Sequence, residues 1–261
     1  MNSDPGSLLN ALPPANSPNN AMAVEMEHLS KSFGTNCVLK DISFRIKKGE
    51  NLVILGKSGS GKSVLIKCLA GLIDHEQGSL LILGKRISDL NKKEREGTRK
   101  KIGFLFQSGA LYDSMSVKEN LEFPLKKALR LKSKEKIKLL VEEALNNIGL
   151  STSIDKMPSE LSGGMRKRLS LARTLILQPE IIFYDEPTTG LDPITSKEIS
   201  HLILDVQKKH NTSSIIITHD MDCARITANR VIVLKDGLFF AEGTFEELEK
   251  SNDEWIRSFF D

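Results

Sequence analysis

The sequence predicts an α/β fold built on a mostly parallel sheet with a helical insertion, and three observations predict it. Short apolar runs alternate with helical stretches along most of the chain, the pattern of strands joined by crossover helices. The stretch Gly56-Lys57-Ser58-Gly59-Ser60-Gly61-Lys62-Ser63 fits G-x-x-x-x-G-K-[ST], with the apolar run Asn51–Leu55 before it and the helix-like Val64–Ala70 after it. Between about Ser108 and Gln178 helical segments succeed one another with no strand between them, which marks a subdomain.

Bulk properties narrow the class. A chain of 261 residues can bury a full α/β core. The formal net charge is +3, so composition by itself points to neither a nucleic-acid binder nor a scavenger of acidic ligands. Cys37, Cys68 and Cys223 are far apart, odd in number and without C-x-x-C spacing. They read as reduced thiols used in packing. No stretch approaches the ~18 to 20 apolar residues that span a bilayer, and the N-terminus lacks the apolar core of a secretion signal. The expectation is a soluble chain able to dock on a membrane protein.

Residues 1–21, rich in Asn, Ser, Pro and Ala, have no periodic apolar face and are expected to be a disordered tail, with the folded domain over 22–261. A strand is expected at Val24–Leu29, then a turn at Phe33-Gly34. Ile42, Phe44 and Ile46 alternate with polar residues as a half-buried strand does. Gly78–Leu83 reads as a strand, and the segment from Asn91 to Lys101 is basic and polar. Ile102–Gln107 is an apolar strand with a polar end. Ser116 and Glu119 form a capping box for a helix that Pro124 should interrupt or kink. Ile137, Leu140, Val141, Ala144, Leu145 and Ile148 keep helical spacing from Ser133 to Gly149. Ser162 opens a further helix to about Leu177. Ile181–Tyr184 is a buried strand, Pro193–His210 a helix and Ser214–Thr218 another buried strand. Val231–Phe240 folds as a hairpin through Asp236-Gly237, and Thr244–Phe260 reads as a C-terminal helix.

The chemistry gathers where strands end. Glycines let the loop Gly56–Ser63 turn successive N–H groups toward a phosphate. The positive helix end adds to this, Lys62 brings a charge near the β/γ oxygens, and Ser63 can ligate Mg²⁺. Asp185 and Glu186 stand at the carboxyl end of a buried strand, where ligands bind in open α/β sheets. We assign Asp185 to the metal and Glu186 to the base that polarises the attacking water. Ser162-Gly163-Gly164 begins a helix and can form an anion site. His219 follows a third strand, and Gln107 ends a fourth, placed to report the γ-phosphate through water or Mg²⁺.

These residues, in this order, resemble the ATP-binding-cassette ATPases over about Val24 to Gly243. The resemblance implies a P-loop NTPase core with an N-terminal antiparallel β subdomain and a helical signature subdomain. Gly56–Ser63 matches Walker A, Gln107 the Q-loop, and Leu161-Ser162-Gly163-Gly164-Met165 the signature. Asp185 and Glu186 match the end of Walker B, Gly190-Leu191-Asp192 the D-loop, and His219 the switch histidine. Phe33 matches the aromatic that stacks on adenine, and Val38 lies where the ribose packs. Met165 departs from the common Gln and leaves Ser162, Gly163 and Gly164 intact. The resemblance also implies ATP and Mg²⁺ as ligands, with each ATP held between one chain's phosphate loop and the signature helix of a second copy of the chain.

The stretch Phe104–Val117, with Asn120 and Phe123-Pro124-Leu125, is similar to the cassettes of Mla/Mce-type phospholipid transporters. So are Thr188–Ile194 and Asp253–Phe260. This implies a membrane permease and an Mce-domain lipid-binding protein as partners, at the cytoplasmic face of an inner membrane or a plastid equivalent. The alternatives are a cassette for another importer, such as one for polar amino acids, or a non-transport cassette acting on DNA or ribosomes. The last expects tandem cassettes or coiled-coil inserts, which are absent here, so no nucleic-acid partner is expected.

Overall fold

The structure, a computed structural model, describes residues 21–260; the expected tail lies, apart from Ala21, outside them. Strands β1 (Met22–Phe33) and β2 (Asn36–Lys47) form an antiparallel pair. The chain then enters a second sheet as β3 (Asn51–Leu55) and leaves it through helix α1 (Lys62–Leu69). It returns as β4 (Gln77–Ile82), antiparallel to β1, with the two-residue β5 (Lys85–Arg86) beside it. The order of this sheet is β2-β1-β4-β5. Ile42, Phe44 and Ile46 are buried while their neighbours face out, as the alternation predicts.

Helix α2 (Lys92–Arg99) follows, in a stretch read only as basic and polar. Its signal was a capping box, Asn91 with Glu94, rather than an apolar stripe; only Thr98 is buried. Strand β6 (Ile102–Leu105) then begins the outer edge of the second sheet. The helical insertion comprises α3 (Val117–Lys127), α4 (Lys134–Asn147) and α5 (Gly163–Leu175). Strand β7 (Ile181–Asp185), helix α6 (Pro193–His210), strand β8 (Ser213–Ile217) and helix α7 (Met221–Thr227) come next, then the β9 (Arg230–Lys235) and β10 (Leu238–Gly243) pair. The order is β10-β9-β3-β8-β7-β6; β9, β3, β8, β7 and β6 run parallel and β10 alone is antiparallel. Asp236 (φ 50°) and Gly237 (φ 79°) both lie at positive φ, which gives the β9–β10 connection its expected two-residue turn.

Every residue of β3, β7 and β8 is buried, because helices or the other sheet cover both faces. Leu52, Ile54, Phe183 and Ile217 join the antiparallel sheet and α1 in one core. Val53, Leu55, Tyr184 and Ile216 join α6 and α7 in another. A third core, with Val117, Leu121, Ile137, Val141, Leu145 and Leu169, closes the helical subdomain.

Three expectations need correction. Pro124 does not interrupt α3: the helix continues to Lys127, and the Ala128 N–H still reaches the Pro124 carbonyl at 2.8 Å. The capping box at Ser116 and the burial of Leu121, Pro124 and Leu125 outweigh the one lost backbone donor. β6 stops at Leu105, so Gln107 lies past the strand in the following turn. The C-terminal helix over 244–260 is two short helices, α8 (Phe245–Glu249) and α9 (Glu254–Arg257). Asp253 divides them by accepting the Trp255 and Ile256 N–H groups as a new N-cap.

Candidate nucleotide site

Parallel pairing brings the carboxyl ends of β3, β7 and β8 side by side: Ile54 sits opposite Ile217, and Ile217 opposite Asp185. The loop 56–63 therefore leaves the sheet beside Asp185-Glu186 and His219. Two of its glycines show what its shape requires. Gly61, the residue before α1, has φ 105°. A Cβ on Gly56 would lie 2.6 Å from both the Leu234 carbonyl and the Ser60 Oγ. Lys62 folds back over its own loop, its Nζ donating to the carbonyls of Gly56 (2.7 Å) and Lys57 (3.0 Å). Burial pushes the Lys62 pKa down, against the pull of Glu186 and Asp185. Ser63 is exposed at the first turn of α1. Val38 packs at Gly61, where a Cβ would meet its carbonyl at 3.1 Å. Phe33 is half exposed with the Lys31 ammonium 5.0 Å from its ring centre.

Asp185 is 8% exposed, and its Oδ1 is buried without a hydrogen-bond partner. Burial, with Glu186 adding to it, raises its pKa. An orphaned carboxylate oxygen is the donor a hard cation requires, and with the Ser63 hydroxyl it supplies the oxygen chemistry that suits Mg²⁺. Glu186 takes φ 52°, a left-handed conformation that is strained for a residue with a side chain. Its N–H donates to the Ile217 carbonyl (2.9 Å). One carboxylate oxygen, Oε2, meets His219 Nδ1 at 2.8 Å and accepts from Thr189 Oγ1 at 3.2 Å. Sequence and fold thus bring Lys62, Asp185, Glu186 and His219 to one end of the sheet.

The other predicted residues gather elsewhere. Ser162 caps α5 through the Met165 N–H (3.2 Å). A Cβ on Gly163 would touch Leu191, and one on Gly164 would lie 2.6 Å from Thr195 Cγ2. Asp192 caps α6, accepting from the N–H groups of Ile194 and Thr195 and from the Thr195 hydroxyl at 2.6 Å. Among the described residues, no hydrogen bond joins 162–164 to the loop 56–63.

Two residues that the sequence reading passed over belong to the site. Thr189 holds Glu186, as above. Lys167 on α5 is 7% exposed, and its Nζ donates to the carbonyls of Gln107 (2.6 Å) and Glu186 (3.3 Å). Its signal was available in the helical spacing Lys167, Ser170, Leu171, Thr174, which puts the lysine on a buried face.

A glycine-rich loop between strand and helix, a carboxylate pair at the end of the next strand but one and a histidine on the carboxylate define a phosphate-loop nucleoside triphosphatase. Comparison with known proteins narrows the class. The family described as "ABC transporter" matches residues 39–189, more than half of the chain. The "Probable ribonucleotide transport ATP-binding protein mkl" of Mycobacterium leprae is 40% identical over 238 residues, covering 91% of this chain and 68% of that protein. The "Intermembrane phospholipid transport system ATP-binding protein MlaF" of Haemophilus influenzae is 37% identical over 234 residues, covering 90% of this chain and 88% of the relative. The dimeric post-hydrolysis structure of the ATP-binding cassette MJ0796, bound to ADP and Pi, superposes with a TM-score of 0.78 at 32% identity, over 85% of this chain and 98% of that one. The chain belongs to the ATP-binding-cassette family as the ATPase of an ABC transporter. Among the described residues no helix is long and apolar enough to cross a membrane.

Proposed function

We propose that this ATPase drives phospholipid movement through a membrane permease with an Mce-domain lipid-binding partner, from the cytoplasmic face of an inner membrane. Support for the lipid reading is the match to MlaF over nearly the whole of both chains. A surface feature agrees with it. Beside Gln107, Tyr112 is 40% exposed, edge-on to Phe123 at 4.9 Å, with the Arg173 guanidinium 4.7 Å from its ring centre. Asn120, fully buried, pins this loop by bonding Tyr112 in both directions and donating to the Met115 and Ser116 carbonyls. An aromatic patch held this firmly suits a docking surface for the permease. The similarity to mkl keeps a different transported substrate as the competing reading.

For the hydrolytic step, the observation that carries our reading is the Glu186–His219 contact next to the unpartnered Asp185. Lys62 exchanges its two carbonyls for β/γ-phosphate oxygens, and the N–H groups of 56–63 hold the phosphates. Phe33 stacks on the base and Val38 packs the ribose. Asp185, Ser63 and Gln107 would hold Mg²⁺, which supplies charge neutralisation at the phosphates when bound. Glu186, oriented by His219 and Thr189, takes the proton of the attacking water. Ser162, Gly163, Gly164 and Asp192 form a separate cluster in this chain, so they serve the nucleotide of a second copy in a head-to-tail dimer. That the related cassette MJ0796 is dimeric with ADP and Pi bound supports the pairing of two copies.

Capture tests both levels. Tagged Glu186→Gln protein should retain ATP, stall and accumulate as a dimer, and membranes should yield a permease and an Mce-domain protein with it. A solute-binding protein for amino acids in their place would overturn the lipid reading. Wild-type turnover by Glu186→Gln would overturn the assignment of the base.

A further inference from the structure

The buried Lys167 has a position that the reading above does not account for. Putting an ammonium into a protein interior is costly unless its donors are met. Here two of them are met by main-chain carbonyls that stand past the ends of adjacent strands, those of Gln107 and Glu186. Glu186 is the residue at the site whose backbone sits at φ 52°. Such a conformation persists only where the surroundings hold it from both sides. Ile217 holds the N–H of Glu186, and its carbonyl accepts from Lys167 (3.3 Å) and from the Thr189 N–H in the same turn (3.4 Å), so Lys167 is the hold that comes from another element. The same face of α5 grips the chain around Gln107 at three more points. Thr174 Oγ1 donates to the Phe104 carbonyl (3.4 Å), Arg173 Nη1 donates to the Ala110 carbonyl (2.6 Å), and Ser170 fills the space a Cβ on Gly109 would take. Lys167 is the member of this row that also reaches Glu186.

We propose that Lys167 is a positioning residue for ATP hydrolysis: its ammonium fixes the Glu186 main chain in the conformation that aims the carboxylate at water, and ties that conformation to the Gln107 turn. A shift of the Gln107 turn then moves Glu186 through one side chain, without passing through the nucleotide. The inference rests on Glu186 acting as the base. Misplacing a reacting group by about 1 Å can reduce a rate on the order of a hundredfold.

Steady-state kinetics of Lys167→Met, Lys167→Gln and Lys167→Arg test it, alongside equilibrium binding of a fluorescent ATP analogue and melting temperature. We expect Lys167→Met to lose about ten- to a hundredfold in kcat with nucleotide affinity within about threefold. Lys167→Arg, which keeps the charge and the donors, should recover most of that loss. Lys167→Gln carries the same expectation as Lys167→Met and keeps the test alive if the methionine variant misfolds. Turnover within twofold of wild type in either neutral variant overturns the proposal. So does a loss in which kcat, affinity and melting temperature fall together and arginine rescues nothing, because the lysine would then be a structural tie. Glu186→Gln in the same series separates the two readings. If it hydrolyses normally, the base is misassigned. If it stalls while the neutral Lys167 variants do not, only the role of Lys167 fails.

Discussion

Replacing Asp185 with Asn separates what this site does for folding from what it does for chemistry. The carboxyl is 8% exposed, its Oδ1 has no partner, and burial beside Glu186 raises its pKa. A raised carboxyl pKa means that the fold binds the proton more tightly than the unfolded chain does. At neutral pH the ionised group therefore subtracts from stability. Asparagine keeps the shape and removes the charge. The gain is discounted for two reasons: Lys67, Lys167 and Lys62 favour the anion, and the new amide brings donors of its own. Of the roughly 1–3 kcal/mol attached to an unsatisfied buried polar group, about 1 kcal/mol should survive. For a domain of this size that is about 2–4 °C in melting temperature. Differential scanning fluorimetry of the nucleotide-free protein should therefore place Asp185→Asn about 2–4 °C above wild type. A non-hydrolysable ATP analogue with Mg²⁺ should reverse the order. At a hundredfold excess over Kd, binding adds about 2.7 kcal/mol to wild type, or about 5–10 °C on the same scale. The variant, lacking the carboxylate proposed to hold the metal, should gain less than half of that. A nucleotide-free variant that melts below wild type, or equal shifts in both proteins, would refute the reasoning.

His219→Ala removes the 2.8 Å partner of Glu186 and should lower kcat about ten- to a hundredfold, with ATP affinity held within about threefold by equilibrium titration. Thr189→Val removes one hydrogen bond to the same carboxylate; a loss of about three- to tenfold in kcat is expected from steady-state assays. Gly164→Ala would put a Cβ 2.6 Å from Thr195 Cγ2 and shift the start of α5 against α6. In the Glu186→Gln background it should weaken ATP-driven dimerisation at least tenfold by size-exclusion light scattering, while each monomer still binds ATP. Asn120→Ala strips the side-chain bonds from the loop 112–116, costing about 2–4 kcal/mol of stability. Capture of the permease should fall while the ATPase activity of the isolated protein remains.

Those predictions lean on parts of the molecule that were unequally legible in the sequence. The parallel sheet was read well because β3, β7 and β8 are buried on both faces, and such strands are continuous apolar runs with little ambiguity. The phosphate loop was read from spacing, since its chemistry is local: a glycine where a Cβ would strike the Leu234 carbonyl, and a lysine that turns back on its own loop. Helix α2 was missed because it buries one residue and owes its start to Asn91 and Glu94, so there is no apolar stripe to see. An interruption or a kink of α3 was expected at Pro124 from local propensity alone, without the packing of Leu121 and Leu125 that carries the helix on to Lys127. Lys167 and Thr189 were missed for a third reason. Lys167 acts at Glu186 across 19 positions of chain, and the partner it holds is a carbonyl, which has no sequence signature. Motifs show the groups that touch a ligand more readily than the groups that hold those groups still.

The strain at the strand ends has a common direction. Asp185 is a buried anion short of a partner, Lys62 is a half-buried ammonium turned onto its own loop, and Glu186 holds a left-handed backbone. In the function proposed above, a phosphate chain with its metal would meet the first two. On that reading phosphate oxygens would take over from the carbonyls of Gly56 and Lys57, whose bonds to Lys62 tie the loop in its wrapped shape. Binding therefore replaces contacts and does not have to build the site, which reduces the ordering entropy it must overcome. The proposed signature cluster of Ser162, Gly163, Gly164 and Asp192 makes its contacts here with α5, Leu191 and α6. A fully preformed phosphate loop with its signature turned elsewhere is what a reaction gated by pairing of two chains requires. If a strictly monomeric form of this protein, verified by light scattering in the presence of ATP, hydrolysed at the full rate, that gating would not exist.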